Sequence, residues 1–245
     1  MPTSTLNTLQ NTANWLTAFI VQRPTTGVGN IPFEPFLTSA NYAMQTILAP
    51  PFVWEWNRVA TTSSITTVVG QSDYPVSLPH FGFLEKATLV NPSPAANQPP
   101  NFELEVFEIL SKDGQQNRPG KIAVLLDDNN GNITFRLFPV PDQIYTVDLD
   151  YQKAPVVATD LTALWAPIPD KYSFLYERFM LAQMQMMYNQ QLGLSNMEMF
   201  FRQLVATAAG LTEMEKAIFL EDALRPIRMR QNELLSTQQG KQVRT

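Results

Sequence analysis

One histidine and no cysteine leave this 245-residue chain little with which to do chemistry. His80 sits in Leu78-Pro79-His80-Phe81-Gly82, between two strand-like runs. A catalytic imidazole needs a nucleophile and an orienting acid within reach, and a zinc site needs further ligands. Neither set is visible around His80, which reads as a loop residue. Gly120-Lys121 lacks the earlier glycine and the following hydroxyl of a phosphate-binding loop, and Gly27-Val28-Gly29 follows no strand; both read as turn chemistry. Asp127-Asp128 with Asn129, Asn130 and Asn132 has the composition of a calcium loop but no bidentate Glu downstream, so it reads as a solvated hairpin tip. Glu103, Glu105 and Glu108 share one strand-like run, with the first two on one face and the third on the other. The expectation is a protein that is not an enzyme, with no catalytic residue, metal or cofactor. A hydrolase working through a carboxylate pair is the one catalytic class these residues leave open.

The elements that would position such residues fall into three regions. Leu6, Leu9, Ala13, Leu16 and Ile20 recur at spacings of three and four, one stripe of an amphipathic helix. Ser4 or Thr5 can cap its start and Pro24 stops it. Leu37, Ala40, Met44 and Ile47 repeat the stripe in a second helix that ends at Pro50-Pro51. Residues 52–158 change to short β-branched and aromatic runs: Ile65–Val69, Phe83–Val90, Phe102–Leu110, Ile122–Leu126, Ile133–Phe138 and Tyr145–Tyr151. The clearest hairpin joins Ile122–Leu126 to Ile133–Leu137 through the Asp/Asn/Gly turn. Asn91–Asn101, with four prolines, reads as an exposed loop.

Helix returns after Asp170, a candidate cap, with the stripe Leu175, Phe179, Ala182 and Met186. Gly193 is expected to end that helix and Ser195/Glu198 to open the next as a capping box. The next stripe runs through Met197, Phe200, Leu204, Ala208 and Leu211; Gly210 and Thr212 are candidate breaks in it, and Pro226 breaks it or kinks it. Helices, strands, then helices predict an α+β fold, with the terminal helices bundled and a separate, sandwich-like antiparallel β lobe. The expected divisions are 1–51, 52–158, 159–223 and a tail at 224–245.

Composition turns attention from reactions to contacts. Only 16% of residues are charged, below the usual ~25%. The net charge is −5, which argues against a general nucleic-acid binder. Charge is unevenly placed: after Ala223 five basic residues (Arg225, Arg228, Arg230, Lys241 and Arg244) face one acid, Glu233. That segment carries +4, which leaves −9 on residues 1–223. Beyond Leu235 the sequence is polar and aperiodic, as expected of an arm that orders on a partner. Met184 and Met187 fall off the Leu175–Met186 stripe, which makes them candidate subunit-interface residues. No signal peptide or membrane-spanning stretch is apparent, so no membrane role is expected.

Five segments together carry a familiar pattern. They are Trp54-Glu55-Trp56-Asn57-Arg58, Gly70-Gln71-Ser72-Asp73-Tyr74, Phe138-Pro139-Val140-Pro141-Asp142, Tyr145–Tyr151 with Lys153 and Pro155, and Trp165-Ala166-Pro167-Ile168-Pro169-Asp170-Lys171-Tyr172. In order and spacing this set resembles the head-to-tail adaptor proteins of tailed bacteriophages, the group that includes podovirus tail tubular protein A. It covers roughly residues 36–205 and leaves the first helix and the basic tail outside. The resemblance implies a homo-oligomeric ring, usually of twelve copies, seated under the capsid portal protein. It implies that the ring extends the channel for double-stranded DNA, receives a tail or nozzle protein, and docks through its C-terminal segment. It also implies a place in the neck of the virion after assembly in the host cytoplasm. The acidic body fits such a channel, because like charge suppresses phosphate contacts and sequence recognition.

Two further readings compete. A neighbouring ring, a stopper or a nozzle component, would share the site, although a nozzle needs more β structure. A carbohydrate- or receptor-binding sandwich would use Trp54, Trp56 and Trp165 as exposed stacking platforms, whereas the adaptor reading expects them buried.

Overall fold

The computed structural model describes residues 6–20, 33–90, 99–107, 114–128 and 131–242. The chain divides into two compact units, Met1–Trp56 with Pro155–Thr245, and Asn57–Ala154. The first is helical and the second is a sheet, so the fold class is α+β.

The helical unit contains α1 (Leu9–Ile20), α2 (Phe33–Leu48), α3 (Ser173–Tyr188), α4 (Gln190–Thr207) and α5 (Glu213–Gln242). Leu9, Ala13 and Leu16 of α1 and Ala40, Met44 and Ile47 of α2 are buried, as their spacing requires, in one core with Leu175, Phe179, Phe200 and Leu204. Ser4, Thr5, Pro24 and the Gly27/Gly29 loop lie outside the described residues. Thr8 does the capping, its Oγ1 accepting from Asn11 N at 3.2 Å, and Leu6 stands exposed before the helix. Asp170 does not cap its own helix. Its carboxylate accepts from the backbone of Leu6 (2.9 Å) and Asn7 (3.2 Å), pinning the N-terminal stretch across the bundle. Main-chain bonds Leu9 N to Ala163 O and Trp165 N to Asn7 O continue that tie.

Three expectations about the later helices change. α3 ends at Tyr188, and Asn189, in extended conformation, opens α4 by accepting from Leu192 N. Gly193 is therefore a buried residue inside α4. A Cβ there would lie 2.5–2.8 Å from Met186 atoms, two of them backbone, so glycine is present for close approach and not for a left-handed cap. Ser195 does not open a helix either; its hydroxyl donates to Gln191 O one turn back. The capping box lies instead at Thr212/Glu215, where Glu215 accepts from Thr212 N (2.7 Å) and Thr212 Oγ1 from Glu215 N (3.3 Å). Pro226 does not end α5, a 30-residue helix that continues past it to Gln242.

The second unit contains β1 (Arg58–Thr66), β2 (Asp73–Ser77), β3 (Phe81–Val90), β4 (Asn101–Phe107), β5 (Gln116–Asn117), β6 (Lys121–Asp127), β7 (Asn132–Phe138), β8 (Val140–Pro141) and β9 (Thr146–Lys153). Seven of them form one curled sheet in the order β1-β9-β3-β4-β6-β7-β2, and β5 pairs with β8. The lobe is not wholly antiparallel, because β4 pairs with β6 in parallel, and β5 with β8 likewise. Alternating residues enclose a core of Leu89, Leu104, Ile122, Phe135, Val147, Leu149 and Tyr151. β2 escapes sequence reading because Pro75 interrupts it, which an edge strand tolerates. The β6–β7 hairpin forms as expected.

Candidate functional site

The described residues that the sequence singles out for chemistry serve turns and a surface ion pair. Among the described residues, no three His, Asp or Glu side chains are grouped so as to hold a metal. His80 occupies the turn before β3 with φ of +57° and accepts from Ala154 N through its backbone oxygen. Asp128 closes the hairpin tip by accepting from Asn132 N and Nδ2 at 3.0 and 2.6 Å; Asn129 and Asn130 lie outside the described residues. Glu103 pairs with Lys86 at 3.0 Å on the exposed strand face, and Glu108 is outside the described residues.

The tryptophans are structural. Trp165 is fully buried, stacks on Tyr176 at 4.1 Å and 3°, and donates from Nε1 to buried Thr12. Trp54 is buried and donates to Ile47 O at 2.8 Å. Trp56 stacks on Trp54 at 5.4 Å, and Tyr172 contacts both rings. These three tryptophans offer no coplanar, exposed pair for a sugar, which removes the basis of the carbohydrate-platform reading.

Within each unit the familiar segments are tied together, four of them as turns or loops and Tyr145–Lys153 largely as β9. Trp54-Glu55-Trp56 meets Tyr172 through those ring contacts. In the sheet unit Gly70 N donates to Pro141 O, and Tyr145 Oη to Asp142 Oδ1. A Tyr74 hydroxyl bonded to Val68 and Gln71 closes the first of these turns.

The exposed, unusual surface is on α5. Leu224 and Ile227 seal its inner face, with Leu220 and Leu234 partly buried beside them. Arg225, Arg228 and Arg230 stand on the outside with side chains more than half exposed. Arg225 lies 3.4 Å from Asp222, Arg228 3.8 Å from Glu198 of α4, and Arg230 2.8 Å from Glu233. The pairs of Arg225 and Arg230 lie between exposed side chains and are weak, whereas Glu198 is largely buried. Lys241 is in the last turn of α5 and Arg244 lies outside the described residues. The expected aperiodic arm is thus helical as far as Gln242. The two methionines separate: Met184 is 4% exposed, part of the helical core, and Met187 is 61% exposed. Tyr188 and Leu192, which sequence reasoning missed, are exposed beside Met187 at the α3–α4 corner.

The profile of the SU10 adaptor protein family matches residues 9–230, from the first residue of α1 into the basic half of α5. The chain belongs to the SU10 adaptor family. This adaptor is a structural protein of the bacteriophage head–tail junction, a class that oligomerises and associates with portal and tail components. No curated protein sequence matches the adaptor significantly. The family's span corrects the narrower 36–205 resemblance, since it takes in α1 and the first three arginines. Lys241 and Arg244 fall beyond it. No described helix is long and apolar enough to cross a membrane.

Proposed function

We propose that this adaptor forms the ring beneath the capsid portal, in twelve copies, in the manner of podovirus tail tubular protein A. The ring extends the channel through which double-stranded DNA passes without sequence recognition, and its far side receives the tail or nozzle protein. It assembles in the host cytoplasm and stays in the neck of the virion. The observation that carries this reading is α5: a 30-residue helix whose inner face is anchored by Leu224 and Ile227 while Arg225, Arg228 and Arg230 face outward. Those arginines, continued by Lys241 and Arg244, dock on the portal. The exposed Met187 lies at a contact between copies, and Met184 supports that corner from inside.

Co-sedimentation with purified portal assemblies tests the docking. Deleting residues from 224 onward would strip Leu224 and Ile227 from the core, so exchange of Arg225, Arg228 and Arg230 for glutamine is the cleaner perturbation. The triple variant is expected to keep its helical spectrum and lose portal binding, with wild-type binding weakening as salt rises. Binding by the triple variant equal to wild type would contradict the assignment.

A further inference from the structure

The outer face of α5 is complementary to itself when turned end over end. Met214, Ile218 and Met229 are 74%, 52% and 61% exposed. At 100° per residue they fall within about 60° of arc, on the side opposite Leu224 and Ile227. Charge divides along the same helix. Glu213, Glu215, Glu221 and Asp222 precede residue 223; Arg225, Arg228 and Arg230 follow it, with Lys216 and Glu233 against the trend. A second α5 laid antiparallel about residues 222–223 brings Glu221, at the edge of that apolar arc, opposite Arg225 of the other copy, and the reverse pair forms by symmetry. The same register sets Met214 and Ile218 over the partner's Met229. A parallel, in-register pair would set like charge on like. The existing partners of Arg225 and Arg230 are acids of the same exposed helix, so re-pairing across copies sacrifices little.

We propose that free copies of this protein pair two by two, antiparallel, through the outer face of α5. The contact is isologous, so it closes at two copies and cannot itself be the ring contact, which is heterologous. The paired stretch, residues 214–230, is only about 24 Å long, so the pair is reversible and concentration-dependent. It covers the arginines assigned above to the portal. That consequence, like the contrast with the ring contact, rests on the function proposed above: paired copies hold their docking face shielded until a portal displaces the partner.

Sedimentation equilibrium of the full chain without portal tests the pairing independently of docking. The wild type is expected to move from single-chain mass to twice that mass as concentration rises, and high salt should reverse the shift. Glu221→Lys/Asp222→Lys and Arg225→Glu/Arg228→Glu should each stay single, and an equimolar mixture of the two should pair again. Glu215 is left intact because it caps α5. Met214→Asp, a change at an exposed position, should also abolish pairing, with an unchanged helical spectrum showing that the fold survives. Wild type that stays single at every concentration would overturn the proposal. So would reversal variants that pair as well as wild type, or stepwise growth beyond two copies.

Discussion

Replacing Gly193 by alanine separates two roles that glycine plays in helices. At a left-handed cap, alanine would suffer backbone strain; inside a helix with free space it would gain about 1 kcal/mol of helix propensity. The structure predicts a third outcome. An added Cβ would lie 2.6 Å from Met186 N and 2.8 Å from Met186 Cα, as well as 2.5 Å from its Cγ. A flexible side chain can move away, but the backbone of α3 cannot without opening the α3–α4 contact. Overpacking of this kind costs about 1–3 kcal/mol, and backbone as the obstacle places Gly193→Ala near the top of that range. Subtracting the propensity gain leaves a net loss of about 2 kcal/mol. Urea unfolding followed by helical circular dichroism measures it, and Met186→Ala in the same background should restore little. An alanine variant as stable as wild type, or full rescue by the Met186 truncation, would refute the close-approach account.

Trp165→Phe removes the donor to Thr12 in a fully buried site and should cost about 2 kcal/mol in the same assay; an unchanged midpoint would show that the hydrogen bond is dispensable. Alkaline stability should depend on Tyr145, whose phenol is pushed up to about 12 by burial and then by Asp142, which its hydroxyl donates to. The fold holds this phenol protonated, so its contribution is complete below the ordinary tyrosine range near pH 10. It is lost as pH rises towards about 12. Tyr145→Phe should therefore flatten the fall in unfolding midpoint between about pH 10 and about pH 12, and an identical slope in both proteins would exclude that role. Burial also raises Tyr176, which adds in the same direction.

The sequence disclosed most where periodicity and burial coincide. Leu9, Ala13 and Leu16, then Ala40, Met44 and Ile47, were readable as inner faces because a helix on one core needs that stripe. Helix ends were less legible, because both Ser195/Glu198 and Thr212/Glu215 satisfy the capping-box spacing and only tertiary packing selects the second. Gly193 misleads for a related reason: glycine at a tight crossing and glycine at a cap are the same letter. α5 was the least legible element. Pro226 marks a break locally, but exposed proline in a helix anchored at Leu224 and Ile227 costs less than releasing that apolar face would. Met184 and Met187 both leave the α3 stripe, yet Met184 is buried in the helical core and Met187, one residue from the end of α3, is exposed, a difference no stripe of α3 alone could reveal. The family-like turns were legible as an ordered set, and the structure supplies their physical reason in the Trp54–Trp56–Tyr172 cluster and the Gly70–Pro141 bond.

Imaging of purified portal assemblies mixed with this protein tests the central claim most directly. A closed ring of twelve copies under the portal, with the C-terminal half of α5 against it, is the predicted result. Absence of any portal-bound ring at saturating protein, or a ring bound with α5 facing away from the portal, would contradict the account.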